Sequence, residues 1–332
     1  MMRTALGMPM RSRIWTRAQE AVFANRPASY VCVILVVAVV SCLYQLRTHT
    51  IFSCQAAGYS ADRYLGYCHG SNYADYEHGA FYFDLEPTVY DYIRNADVLF
   101  LGNSRLQVAF STPATAEWFS AASARYYLLG FSYFENMVFA DDLLRKIQPR
   151  AQVYVINVED FFDRSESPPV KTILHDPGAR QRYEVKRLWQ RVHEPICKSF
   201  AALCGTKFVI FRSRETGAYY SNGAAEWKIT PVSYDQRIDQ EVVSRNMAAA
   251  PDFLSHSSQG KCVILTMVPS AETKIGDANA IANGLDMKLV TPGMVEGLRT
   301  YDGYHLDQPS AQRWSQAFFK AAGPALQSCL EK

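Results

Sequence analysis

From Ala28 to Leu46 the chain runs nineteen residues without a charge. Coiled as a helix, such a run rises about 28 Å, close to the thickness of a bilayer's hydrocarbon core. No comparable run follows, so this segment divides the sequence into a short basic tail and a long remainder. A secretory signal peptide is the competing reading, but its apolar core is shorter and ends in a small-x-small cleavage site. Here the run begins 27 residues in and is followed by Arg47-Thr-His-Thr50. It reads as an uncleaved transmembrane helix over 28–46. Arg3, Arg11, Arg13, Arg17 and Arg26 precede it, opposed only by Glu20, whereas Arg47 and His49 follow. The more basic flank stays in the cytoplasm. Residues 1–27 are therefore expected as a cytoplasmic tail, and residues from about 47 onward as the outer part. For a bacterium this is a single pass through the inner membrane with the main domain in the periplasm; for a eukaryote it is the lumen.

The cysteines fit an oxidising compartment. Cys32 and Cys42 lie in the apolar run, and the outer part holds an even six. The local pairings are Cys54–Cys68 and Cys197–Cys204, leaving Cys262–Cys329, one of fifteen possible connectivities. Neither Cys-x-x-Cys nor His-x-x-x-His occurs, so no structural zinc or other metal is expected. A formal charge of +2, with no basic patch interleaved with aromatics beyond the tail, gives no basis for a nucleic-acid partner. Aromatic content is high, at 13%; such a surplus is more often core than a carbohydrate or lipid site.

Residues 47–84, rich in Tyr, Gly, Ser and Ala, read as a stalk or cap. An α/β domain is expected over 85–330, with an insertion at about 162–258. A helix over 86–96, opened by Pro87, precedes a buried strand at 98–101. A helix at 113–122 leads to a strand at 125–129. An amphipathic helix at 134–147, ended by Pro149, leads to a third strand at 152–156. Strands about 27 residues apart suit right-handed crossovers in a parallel sheet. The insertion is polar, with helices near 180–200 and 236–256 and a loop or hairpin between. Its basic run at 180–191 is most simply a solvated helix face. A fourth parallel strand is expected at 261–268, a short fifth at 287–290, and a final helix at 309–322, opened by Asp307 or Ser310 and stopped by Gly323-Pro324.

Ligands of open α/β sheets gather at the carboxyl ends of the strands. Ser104 follows the first strand on a Gly102-Asn103 turn, Gly130 ends the second, Asn157 ends the third, and His305 lies on the loop before the last helix. A serine hydroxyl becomes a nucleophile when a histidine takes its proton and a carboxylate orients that histidine. Asp302 and His305, three apart, supply both from one loop. Alone, each residue has a plainer role. Ser104 can cap a helix, His305 can be a surface histidine, and Asp302, beside Gly303, can be a turn residue. Asn157 and Asp160 can cap turns, and Arg105 can form a surface salt bridge.

Together these blocks resemble the SGNH/GDSL hydrolases. Gly102-Asn103-Ser104 is similar to the family's Gly-Asp-Ser block, with Asn for Asp, and Gly-Asn-Ser-Arg is similar to membrane-anchored bacterial members. Leu128-Leu-Gly130-Phe-Ser132 resembles the second block, and Asp302-Gly-Tyr-His305-Leu with Pro309-Ser-Ala-Gln-Arg-Trp314 the last. The resemblance covers roughly 95–160 and 258–325. It implies a flavodoxin-like three-layer α/β/α fold and a serine esterase or O-acyltransferase with Ser104, His305 and Asp302 as triad. It also implies oxyanion donors at Ser104, Gly130 and Asn157, and no cofactor. The implied substrate is an ester, an O-acetyl group of a cell-envelope glycan, with envelope-biosynthesis partners. The alternative is a non-catalytic glycan-binding or assembly protein of the same fold. The third block departs from the family's Gly-x-Asn-Asp, because the chain reads Ile156-Asn157-Val158-Glu159-Asp160. In strict register Glu159 replaces the oxyanion Asn, and a carboxylate opposes an oxyanion; Asn157 fills the role if the loop shifts by two residues.

Overall fold

The computed structural model describes residues 26–222 and 228–331; the tail with Arg3, Arg11, Arg13, Arg17 and Glu20 lies outside the described residues. In chain order the strands are β1 (Arg63–Cys68), β2 (Val98–Asn103), β3 (Tyr126–Phe131), β4 (Val153–Asn157), β5 (Val209–Ser213), β6 (Tyr219–Asn222), β7 (Thr230–Pro231), β8 (Cys262–Thr266) and β9 (Arg299–Thr300). Four of them form a parallel sheet in the order β3-β2-β4-β8. Each crossover carries a helix, the usual connection of a parallel pair.

The sheet is apolar on both faces. Leu99, Leu101, Tyr127, Leu129, Tyr154, Ile156 and Leu265 point into one buried cluster, together with Leu143 and Ile147 of the helix Met137–Ile147 and Phe253 of the helix Gln240–His256. Val98, Phe100, Leu128, Val153, Val155 and Ile264 point into a second, with Phe110 of the helix Ser104–Phe110 and Trp314, Phe318 and Leu326 of the helix Gln308–Leu330. Burial on both faces is why these strands read as continuous apolar runs rather than alternating ones.

Element ends follow local chemistry. The helix expected from 134 begins at Met137, because Tyr133 and Phe134 hold φ of 62° and 55° and cannot be helical; Asn136 caps it by accepting from Val138 N. Thr88, at φ 69°, likewise delays the preceding helix to Val89–Arg94. The segment at 287–290 makes only a single parallel bridge, Leu265 to Leu289. The last helix does not stop at Gly323-Pro324 but runs to Leu330. A mid-helix proline removes one backbone bond. Continuation is held by Leu326, fully buried, and by the Cys262–Cys329 disulfide to β8. Asp307 caps its start, accepting from Ser310 N at 2.9 Å.

The remaining two expected disulfides, Cys54–Cys68 and Cys197–Cys204, are also formed. Residues from the segment at 47–84 and from the insertion at 162–258 join in one antiparallel sheet, β1-β5-β6. Beneath it Glu77 and Arg212 are both buried, with Arg212 Nη1 2.9 Å from Glu77 Oε2. Glu77 Oε1 also accepts from Ser132 N at 3.1 Å, just past β3, so this small sheet is fastened to the carboxyl edge of the large one. The helix Arg26–His49 has exposed side chains over Tyr30–Tyr44, and its Pro27–His49 stretch, with a mean hydropathy of 2.2, is long and apolar enough to span a membrane.

Candidate active site

Ser104 sits where β2 turns into a helix. β2 continues to Asn103, two residues beyond the expected end, and Ser104 is the first residue of the helix Ser104–Phe110. Asn103 makes this change of direction: its side chain accepts from Arg105 N at 3.0 Å, a helix N-cap. Gly102 is closely packed: a Cβ there would lie 3.2 Å from Asn157 Cβ, so that side chain would have to give by a few tenths of an ångström. The tight strand-to-helix turn exposes the serine at the edge of the sheet.

The loop before the last helix brings the other two residues to it. Asp302 Oδ1 accepts from Tyr304 N at 2.9 Å and from His305 N at 2.8 Å, which folds the turn; Gly303 between them holds φ of 88°, a left-handed conformation that favours glycine. Asp302 Oδ2 then lies 2.7 Å from His305 Nδ1, and His305 Nε2 lies 2.8 Å from Ser104 Oγ. A carboxylate accepts only, so Nδ1 carries the proton, and Nε2 is left as an acceptor for the serine hydroxyl. Burial pushes the Asp302 carboxyl up. The hydrogen bond and charge of His305 and the two backbone N–H groups outweigh it and hold the carboxyl below its ordinary value. Tyr301 stacks on His305, with ring centroids 5.5 Å apart and planes at 15°; burial pushes its phenol up, so a neutral ring covers the imidazole.

The expected oxyanion donors are placed differently from one another. Gly130, one residue before the end of β3, lies opposite Gly102, but its N–H donates to Gln107 Oε1 at 2.9 Å. The N–H proposed from sequence as an oxyanion donor is thus engaged. The cause is packing: Gln107 is fully buried, and a Cβ at 130 would meet Asn103 O at 2.6 Å and Gln107 Cβ at 2.8 Å. Asn157 ends β4, fully buried beside Gly102. Its Oδ1 accepts from Val268 N at 2.9 Å, which fixes the orientation of the amide, and its Nδ2 has no hydrogen-bond partner among the described residues. Buried polar groups are almost always paired; the hydroxyls of Tyr64, Tyr127 and Thr266 share with this amide the lack of a partner among the described residues.

Glu159 and Arg105 form an ion pair. Arg105 is 7% exposed, so the surface salt bridge expected at this position is a buried one. Burial pulls the Arg105 guanidinium down, against the raising influence of Asp160, Tyr304, Asp302 and Glu272. The Tyr304 ring lies 5.1 Å from its Cζ. Sequence reasoning left the Glu159 carboxylate as an unbalanced charge near the site; Arg105 neutralises it. A cavity of about 150 Å³ adjoins the pair, walled also by Asp277, Lys274 and Met267. Tyr301 also lines a cleft of about 520 Å³, together with Tyr126, Tyr219, Tyr220 and Asn222. Sequence reasoning passed over Gln107, Tyr301 and Tyr304. The adjacency of both tyrosines to the Asp302–His305 block was the one available signal.

His193, Cys197 and Cys204 come within metal-binding distance of one another, but the two sulfurs are joined in a disulfide and cannot serve as thiolate ligands. Comparison with protein-family models, with curated proteins and with solved structures finds no match to this chain. The geometry defines a class: a mixed α/β protein whose parallel sheet carries a hydrogen-bonded Ser104–His305–Asp302 set at its carboxyl edge.

Proposed function

We propose that this chain is a membrane-anchored serine ester hydrolase or O-acyltransferase of the SGNH type, with its catalytic domain outside the cytoplasm. The observation that carries the reading is the unbroken contact chain from Ser104 Oγ through His305 to Asp302, at 2.8 and 2.7 Å. In this reading His305 Nε2 takes the hydroxyl proton as Ser104 Oγ attacks the ester carbonyl, and Asp302 holds the imidazole tautomer and steadies the imidazolium. Collapse of the tetrahedral intermediate expels the alcohol, which receives the proton from His305, and leaves an acyl-Ser104. Water or a sugar hydroxyl, deprotonated by the same nitrogen, then takes the acyl group. Ser104 N–H is a donor for the oxyanion; Asn157 Nδ2, unpaired but buried, and Gly130 N–H, held by Gln107, join it on a rearrangement that uncovers them.

The strand order β3-β2-β4-β8, with Leu289 bridging beyond β8, supports a flavodoxin-like arrangement. The apolar helix and three disulfides support a single-pass anchor with the main domain in the periplasm or another oxidising space. An O-acetyl group on a cell-envelope glycan is the substrate this resemblance favours. The full-length protein in detergent should react with a fluorophosphonate probe and hydrolyse an aryl acetate, and Ser104→Ala should lose both. Folded wild-type protein that does neither would favour the second reading, a non-catalytic glycan-binding or envelope-assembly protein. That reading draws on the engagement of Gly130 N–H by Gln107.

A further inference from the structure

Helix Ala179–Ser199 has two opposite faces. One, with Ala179, Tyr183, Gln190, His193 and Cys197, is buried against the domain. The other carries Val185, Leu188, Trp189 and Val192, at helical spacing, and all are exposed. Phe200 and Leu203 extend this stripe past the helix end. Among the described residues, six of the fourteen exposed large apolar side chains outside the long helix fall between 185 and 203. A patch so concentrated marks a contact surface rather than ordinary surface scatter.

Its position says what it contacts. Arg47 Nη1, at the end of the long apolar helix, donates to Ala202 O at 2.9 Å. Leu43, Tyr44 and Leu46 of that helix line one groove with Ile196, Ala202 and Leu203. Phe52 packs edge-on to Trp189, with ring centroids 6.5 Å apart. The stripe therefore starts at the level of the last apolar turn of the long helix and extends away from it. Along one flank run Arg180, Arg187, Arg191 and Lys198, spaced seven, four and seven apart, which keeps them on one side of the apolar face; Glu184 and Glu194 share that flank and pair with Arg180 and Lys198 at 2.9 and 2.8 Å, so four cations against two carboxylates leave it net basic. An apolar stripe with a basic flank is the pattern of a helix lying in a membrane interface, its cations among anionic headgroups.

We infer that the face of Ala179–Ser199 bearing Leu188, Trp189 and Val192 lies on the surface of the bilayer that the Arg26–His49 helix enters, with anionic lipid headgroups as its partner. This rests on the anchor reading and not on catalysis. Two attachments, one spanning and one lying flat, fix the tilt of the domain and so the height of Ser104 above the membrane.

The test uses the full-length chain in vesicles of phosphatidylcholine and phosphatidylglycerol, with and without phosphatidylcholine brominated on its acyl chains. The Trp189 signal is the emission that Trp189→Phe removes. It should be quenched by the brominated lipid, and Leu188→Glu with Val192→Glu, both at exposed positions, should relieve the quenching. Omitting phosphatidylglycerol should weaken the quenching. Unquenched Trp189 emission from a chain that stays in the vesicles through carbonate extraction overturns the inference and leaves the anchor standing; a second copy of the chain covering the stripe would give this result. A chain released by carbonate overturns the anchor reading and this inference with it.

Discussion

His305 Nε2 stands 2.8 Å from Ser104 Oγ across 201 residues of sequence. One turn, built by Asp302 on the backbone N–H groups of Tyr304 and His305, both aims the imidazole and fixes its tautomer. An asparagine at 302 retains the acceptor that folds the turn but favours the wrong tautomer.

Asp302→Asn should therefore lower kcat for ester hydrolysis by about 10⁴-fold, with the circular dichroism spectrum unchanged. Steady-state hydrolysis of an aryl acetate measures it; a loss under tenfold would remove Asp302 from the proposed triad.

The same carboxyl predicts a pH effect on stability. Its pKa in the folded chain lies below the ordinary value, so its ionisation stabilises the fold above the unfolded pKa of about 3.9. That contribution is lost as pH falls through the depressed folded value. In urea titrations run below about pH 5, the stability gap between wild type and Asp302→Asn should narrow as the pH drops below about 3.9. A gap that widens over that acid range would contradict the assignment.

Asn157→Ala removes the unpaired Nδ2 and also the acceptor for Val268 N. Kcat should fall by about 10²–10³ with KM little changed, and stability by about 1–3 kcal/mol. If only stability falls, Asn157 is a strand-end tie and not an oxyanion donor.

Arg105 and Glu159 should behave as a unit. Arg105→Met leaves Glu159 uncompensated and should cost about 3–5 kcal/mol, whereas Arg105→Met with Glu159→Met should recover most of that loss. Additive losses in urea unfolding would show that the two side chains do not act on each other.

Loop length ranks the disulfides. Cys262–Cys329 closes 67 residues and Cys197–Cys204 only seven. In the chain-entropy model, replacing the first pair with alanines costs about 4 kcal/mol and the second about 2 kcal/mol. Chemical denaturation of the two double variants checks the order.

Much of the site was legible. Ser104, His305 and Asp302 could be found because each sits at a strand end or before a helix whose apolar pattern is local. The pairing partners were less so. Gln107 reads as an ordinary helix residue until β3 lies beside it and Gly130 offers its N–H. Glu159 reads as a defect in the third block until the helix after β2 delivers Arg105 to it. The helix past Pro324 was missed because the local rule for proline gave way to burial of Leu326 and the tie to Cys262.

What the sequence by itself determined is what depends on near neighbours: the nineteen-residue apolar run, the four strands apolar on both faces, and the Asp302–His305 spacing. What only the tertiary structure decided depends on groups brought together from distant segments. It joined β1 to β5, set Glu77 against Arg212, gave Glu159 its counter-charge and left Asn157 Nδ2 without a partner. The reason is physical: backbone periodicity and capping act over a few residues, whereas the desolvation of a buried charge or amide is set by whatever the fold packs around it.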